Sequence, residues 1–318
     1  MTKQDEARPD HADGRSPRYL LVSRIGRKSL HQRWLQGPRA FDVFLSAYDT
    51  ALPPVSGSGV RFEHRPGYKV AGYDGFLREH RDLWRRYDYI CLFDEDLDAD
   101  TETLNRMFAL CEKYRLKIAQ PALTWDSHFT YAGLLRQPAF VLRHVNYIEM
   151  MCPVFRKDAL EAIAPLYGLG YESGIDLIWC NLVYEQPTDF AVLDSTPVRH
   201  TEPVGNNKAA NGFIAGRLYE DDISAVLTRF GLPWLSCTPY IGISPSGDQT
   251  HSRLAFLRAA LPLAIVPPRH PPLAKRVRMV LDHLRHIIFR PARNIRVDMP
   301  LSSQTEERSA PPSSSSDL

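Results

Sequence analysis

Tyr89-Ile90-Cys91-Leu92-Phe93-Asp94-Glu95-Asp96-Leu97-Asp98-Ala99-Asp100 joins an unbroken apolar run to a dense acidic one. A short continuous apolar run fits a strand covered on both faces of a sheet. The strand then ends in five carboxylates within seven residues. Crowded like charges raise one another's pKa and cost stability unless a cation sits among them. An oxygen-rich cluster without thiols suits a hard divalent ion, Mg2+, Mn2+ or Ca2+. A strand tip is also where open α/β sheets place their ligands.

On the N-terminal side, Tyr19–Val22 and Phe41–Ser46 read as two further strands, with a helix opening near Ser29–Leu35 and helical material within Gly67–Arg86. On the C-terminal side, Leu104, Met107, Phe108 and Cys111 share one face of a helix over Thr101–Tyr114, capped by Asp98 or Asp100. Leu116–Ala119 is a strand stopped at Gln120-Pro121. Val141–Phe155 is apolar and β-leaning, Lys157–Leu166 is helical, and Leu177–Val183 is a buried helix. Phe190–Asp194 is a strand, followed after a short turn by Val198-Arg199-His200. Leu218–Phe230 is a helix and Pro239–Gly247 is turn-rich. Strands alternating with helices predict an α/β fold with a mostly parallel mixed sheet flanked by helices.

The chain of 318 residues is 44% hydrophobic, enough for a sizeable core, and its net charge of +2 gives no general affinity for nucleic acid. Five scattered cysteines without metal-ligand spacing read as reduced, buried thiols. Residues 1–17 are polar, without the apolar core of a signal peptide, and read as a disordered arm. Residues 18–250 are the expected catalytic domain, 251–300 a basic amphipathic appendage, and 301–318 a disordered tail. Between 269 and 296, eight Arg or Lys stand against Asp282 alone. Leu273, Val277, Val280, Leu281, Leu284 and Ile288 give that segment an apolar stripe. It either packs on the domain or lies on an anionic membrane surface. The corresponding expectation for localisation is cytoplasmic, peripheral at the inner face of the membrane.

Three site geometries compete for the acids. Asp94, Asp96 and Asp98 match the first ligands of a calcium-binding EF-hand, but Ala99 replaces the turn glycine and Asn105 the bidentate glutamate. Asp94 and Asp96 have the spacing of haloacid-dehalogenase-type phosphatases, with Asp221-Asp222 as a candidate later acid pair, but more than ninety residues precede them and Leu97-Asp98 follows. The third is the Asp-x-Asp of GT-A glycosyltransferases, in which a divalent ion bridges a nucleotide-sugar diphosphate.

The chain resembles the family known as domain of unknown function 707, regarded as GT-A-like glycosyltransferases. The resemblance rests on Tyr87–Ile90 with Phe93–Leu97, Ile118–Leu123, Val145–Phe155, Gly174-Ile175-Asp176, and Val192–Ser195 with Arg199-His200. It implies metal-dependent transfer of a sugar from a nucleotide-diphospho-sugar donor to a hydroxyl of a glycan or lipid-linked acceptor, with Mn2+ or Mg2+ as cofactor. Asp94, Glu95 and Asp96 would handle donor and metal. Asp176 is either the catalytic base or a helix cap, and Glu172, where Tyr171-Glu172-Ser173 departs from the family pattern, competes for the chemistry. Glu149 is an acceptor-site ligand or a paired core acid, and His200 a metal ligand or a structural histidine. Asp49 is a nucleoside contact or a turn residue, and Lys69 a diphosphate contact or a solvated lysine. A relative that binds nucleotide sugars or carbohydrate without catalysis is the remaining alternative.

Overall fold

The computed structural model describes residues 18–203, 219–234, 236–265, 272–289 and 294–299. The expected arm, tail and the loop at 206–211 lie outside them.

The first apolar runs form β1 (Tyr19–Ile25) and β2 (Phe41–Ala47), with the short helix α1 (His31–Trp34) between them. An edge strand β3 (Val60–His64) and helices α2 (Lys69–Glu79) and α3 (Arg81–Trp84) lead into β4 (Tyr89–Leu92). A two-residue strand β5 (Leu97–Asp98) and helix α4 (Thr101–Lys113) follow. Then come β6 (Ile118–Leu123), β7 (Leu142–Val145), β8 (Val154–Arg156), α5 (Lys157–Tyr167), α6 (Asp176–Leu182) and β9 (Phe190–His200). The rest comprises α7 (Tyr219–Phe230), β10 (Pro239–Ile243), β11 (Gln249–Thr250), α8 (Arg253–Ile265) and α9 (Leu273–Phe289).

One mixed sheet has the order β11-β10-β7-β9-β6-β8-β4-β1-β2-β3. Strands β1, β2, β3, β4, β6, β9 and β10 run one way, and β7, β8 and β11 the other. This is the α/β class expected from the alternating strands and helices. β4 is buried along its whole length, between β1 and β8. α4 covers it with Leu104, Met107, Phe108 and Cys111, all fully buried. Asp100 caps α4, accepting the Thr103 N–H at 2.7 Å, while Asp98 pairs with Arg33 instead. All five cysteines are buried and unpaired.

Several boundaries differ from the sequence reading. Pro121 lies inside β6 rather than ending it. β8 pairs β6 only at Ile118 and Ala119, so the missing N–H of Pro121 falls beyond that ladder. The apolar run Val141–Phe155 is two strands, β7 and β8, separated by a loop that carries Glu149. His200 ends the continuous strand β9 rather than following a turn. The turn-rich stretch near Pro239 contains β10, whose proline occupies the first strand position.

Candidate active site

The strand directions bring every candidate group to one edge. Gly26 follows β1, Tyr48 and Asp49 follow β2, and the acids follow β4, all at C-terminal tips. β9 delivers His200 to that edge, and the loop between β7 and β8 crosses it. Two clefts open there, one of about 640 Å³ and one of about 520 Å³. Tyr48, Glu95 and Asp96 line both, so the acid cluster forms the ridge between them.

Each acid of the cluster has a different environment. Asp94 is an ion pair with Lys69, at 2.6 Å, and the Lys69 ammonium also donates to the Met150 carbonyl at 3.0 Å. Burial lowers the ammonium pKa, but Asp94 and Asp96 outweigh it and carry the net shift upward, so Lys69 stays charged. Glu95 accepts from the Gly26 backbone N–H and from the Tyr48 hydroxyl, clasping the tips of β1, β2 and β4 together. A side chain at position 26 would collide with the Tyr48 ring. Burial pushes the Glu95 carboxyl up to about 7.

Asp96 meets His200 because β5 pairs with β9, setting Leu97 opposite His200. The imidazole Nδ1 lies 3.0 Å from the His128 carbonyl, which can only accept, so Nδ1 carries the hydrogen. Nε2 then faces the Asp96 Oδ2 at 3.2 Å. A neutral ring with that tautomer would oppose a lone pair to a carboxylate. The arrangement is satisfied by a protonated ring or by a cation held between the two groups. Burial lowers the His200 pKa, yet the Asp96 hydrogen bond and charge bring it above the ordinary value.

Across the larger cleft stand Glu149 and Asp176. The Asp176 Oδ2 accepts from the Tyr147 hydroxyl at 2.5 Å and from the Met150 N–H at 3.3 Å, at the first residue of α6. Gln120 holds the Glu149 backbone by accepting its N–H at 2.7 Å. The Glu149 carboxyl meets the Thr130 hydroxyl, but its buried Oε2 has no hydrogen-bond partner among the described residues. Burial first, then the Asp176 charge, pushes Glu149 up to about 7. Burial raises Asp176 as well.

Two expected site residues have visible structural partners. The Glu172 carboxylate accepts the Val70 and Ala71 N–H groups at 2.8 and 3.0 Å, capping α2 from another part of the chain. Asp49 accepts the Ala51 N–H at 2.9 Å and pairs with Arg27 at 2.7 Å, on the rim of the smaller cleft beside Lys28. Residues that the sequence reading did not single out complete the walls. Tyr147 and Gln120 position the acids, and Tyr131 packs edge-on to Tyr147 with Trp234 beyond it. Arg24, buried against Gly72, donates to Ser46 and to the Gly67 carbonyl.

A divalent cation is compatible with part of this set. Among the described residues, no group of three or more His, Cys, Asp or Glu is placed to hold one ion. Asp96 and His200 supply one carboxylate and one imidazole, leaving other positions for substrate oxygens and water. Asp94 is committed to Lys69. The phosphatase geometry fits less well, because Asp221 and Asp222 lie in the first turn of α7 rather than at a strand tip, and Asp222 accepts the Glu172 N–H at 2.8 Å.

The model of a family described as a protein of unknown function (DUF707) matches residues 75–139. That span contains β4, the acid cluster, α4 and β6, and it shows the family resemblance for the stretch that builds the ridge. No curated protein matches the chain. Among solved structures, TarS of S. aureus, residues 1–349, in complex with UDP-GlcNAc has 10% identity and a TM-score of 0.43, over 86% of this chain and 73% of that one. TarS 1–349 alone has 10% identity and a TM-score of 0.39, over 67% and 71%. A197 from STIV has 12% identity and a TM-score of 0.36, over 74% and 94%.

Proposed function

We propose that the protein is a glycosyltransferase that moves a sugar from a nucleotide-diphospho-sugar to a hydroxyl of a glycan or lipid-linked acceptor. One observation carries the reading. His200 presents Nε2 to Asp96 on the ridge between two clefts, with its tautomer set by the His128 carbonyl. Asp96 and His200 would hold Mn2+ or Mg2+, whose positive charge stabilises the departing diphosphate.

The chain's own groups then divide the work. Arg27 and Lys28 line the smaller cleft, where cationic side chains suit a diphosphate. The larger cleft takes the acceptor, with Glu149 at its wall. A carboxyl poised near neutrality, with an unpartnered oxygen, is suited to remove the acceptor's proton. The acceptor oxygen bonds to the anomeric carbon, the bond from that carbon to the diphosphate oxygen breaks, and the diphosphate leaves with the electron pair. Asp176, held by Tyr147 and Met150, raises the proton affinity of Glu149 and orients the loop. Lys69 cancels the Asp94 charge and keeps the ridge from repelling the donor.

Calorimetry with a panel of nucleotide-diphospho-sugars, with and without Mn2+, tests this directly. Mn2+-dependent binding that is lost in His200→Ala supports it. Absence of binding to the whole panel under every metal condition overturns it. Mn2+-dependent binding without transfer or hydrolysis would instead identify a non-catalytic nucleotide-sugar-binding protein.

A further inference from the structure

Exposed large apolar side chains are very unevenly distributed. Among the described residues, Trp234 stands at the cleft, and the other eight are Leu254, Leu261, Leu273, Val277, Leu281, Ile288, Phe289 and Ile295. None lies in residues 18–203. A patch of this kind on a soluble face marks a surface that something else covers.

The helices α8 and α9 explain how the patch is held outward. α9 docks on the domain through Val280, His283 and Ile287, all buried. His283 sits beside Gln137, and burial drives its pKa down to about 3, so this ring is neutral, while Arg276, one turn before Val280, lies on the same face with its Nε buried. The single apolar stripe of the sequence thus divides into two. Val280 turns inward with Ile287, while Val277, Leu281 and Ile288 form a second strip beside that face, with Leu281 57% exposed. Arg278 and Arg285 lie along the far edge of the second strip. On α8, Leu254, Arg258 and Leu261 repeat the combination at helical spacing. The two helices pack on each other, and Arg253 donates to the Ile288 carbonyl at 3.1 Å near the end of α9.

We infer that the outer face of the α8–α9 pair docks on an anionic lipid surface. The charge balance selects this occupant. Cations flank both apolar strips, and Asp282 is the only acidic residue in either helix. Long cationic side chains can lie along apolar surface while their heads reach phosphate groups, with Leu, Ile and Phe entering the acyl boundary. No helix among the described residues is long and apolar enough to cross a membrane, so the contact lies in the interface plane. This inference stands independently of the transferase reading.

The test is co-sedimentation of the full chain with vesicles of phosphatidylcholine alone and of phosphatidylcholine mixed with phosphatidylglycerol. Binding is expected to the mixed vesicles, weakening with salt. Leu281→Glu combined with Phe289→Glu should reduce it at least ~10-fold while leaving the melting temperature unchanged. Arg278→Glu combined with Arg285→Glu should abolish the preference for mixed vesicles. No binding to either vesicle overturns the inference. So does a dimer, seen by analytical ultracentrifugation without lipid and lost in the double glutamate variant, because a second copy would then cover the face.

Discussion

The two walls of the larger cleft carry similar numbers of acids and use them differently. On the wall built from β1, β2, β4 and α2, carboxylates are bound to partners. Asp94 has Lys69, Glu95 has Gly26 and Tyr48, and Glu172 has the start of α2. On the facing wall, Asp176 is held, but Glu149 keeps an oxygen without a hydrogen-bond partner among the described residues; burial raises Glu149 and Glu95 alike to about 7, so the open oxygen is the difference. Acid density therefore marks the place, whereas the unsatisfied acid is the one proposed to act on the acceptor. The ridge residue Asp96 meets His200 of β9, so it joins the two walls.

The largest effect expected to break this comparison is at Glu149. Glu149→Gln should lower turnover by roughly 10²–10⁴-fold, the range for losing a general base, with donor binding retained. Wild-type turnover should rise with pH through a midpoint near 7, and the variant should lose that limb. The same group affects stability with the opposite sense. Its folded pKa is raised, so its contribution is full below about 4.5 and is lost as pH rises through about 7. Denaturant melts at pH 5 and pH 8 should show a shallower fall in stability for the variant. If Asp176→Asn alone abolishes turnover and Glu149→Gln does not, the two acids exchange roles.

The next effect concerns the ridge. His200→Ala and Asp96→Asn should each cost about 10²–10³-fold in turnover, comparable to removing one electrostatic stabiliser of a departing anion. Isotope-free donor titrations should show the Mn2+ dependence of binding weaken in both. Equal donor affinity with and without Mn2+ in the wild type would separate Asp96 and His200 from any metal role.

Glu95→Ala tests the opposite prediction, that an acid in the cluster is structural. Losing its hydrogen bonds to Gly26 and Tyr48 should destabilise the protein by about 2 kcal/mol. At this size that corresponds to a fall in melting temperature of roughly 3–4 °C. The residual activity of the folded fraction should exceed that of the His200 variant.

The sheet was largely legible because its strands carry local signals. β1, β2, β4 and β9 are apolar runs, and α4 has both a periodic face and an aspartate cap. β3 is masked in the sequence although Val60-Arg61-Phe62-Glu63-His64 alternates, because it follows a Pro- and Gly-rich loop. β10 opens on a proline and contains a glycine, which imitates a turn. α8 contains Pro262 and lacks a one-sided pattern, so it gave little periodic signal. The acid cluster was visible as a site, but not the division of labour within it. That division depends on partners 25 to 104 positions away, such as Lys69 for Asp94, Tyr147 for Asp176 and His200 for Asp96. No spacing rule reports such pairings; the β5–β9 bridge creates the second of them.

The smallest effect sharpens the contrast between holding a helix and doing chemistry. Glu172 satisfies two of the N–H groups that the first turn of α2 leaves open, and Tyr68 at the cap position supplies no side-chain bond. Its negative charge also complements the positive end of the helix dipole. Glu172→Ala should therefore cost about 1 kcal/mol, measured by denaturant titration, in the range of a lost N-cap. Lys69 opens the same turn, so its alignment with Asp94 should loosen and turnover should fall a few-fold. Glu172→Gln retains an oxygen acceptor and should recover most of the stability and most of the turnover. A catalytic carboxylate would behave differently: the glutamine would be as inactive as the alanine, and stability would not predict rate. Rate and stability changing together across the three side chains would place Glu172 with Glu95 among the acids that build the cleft.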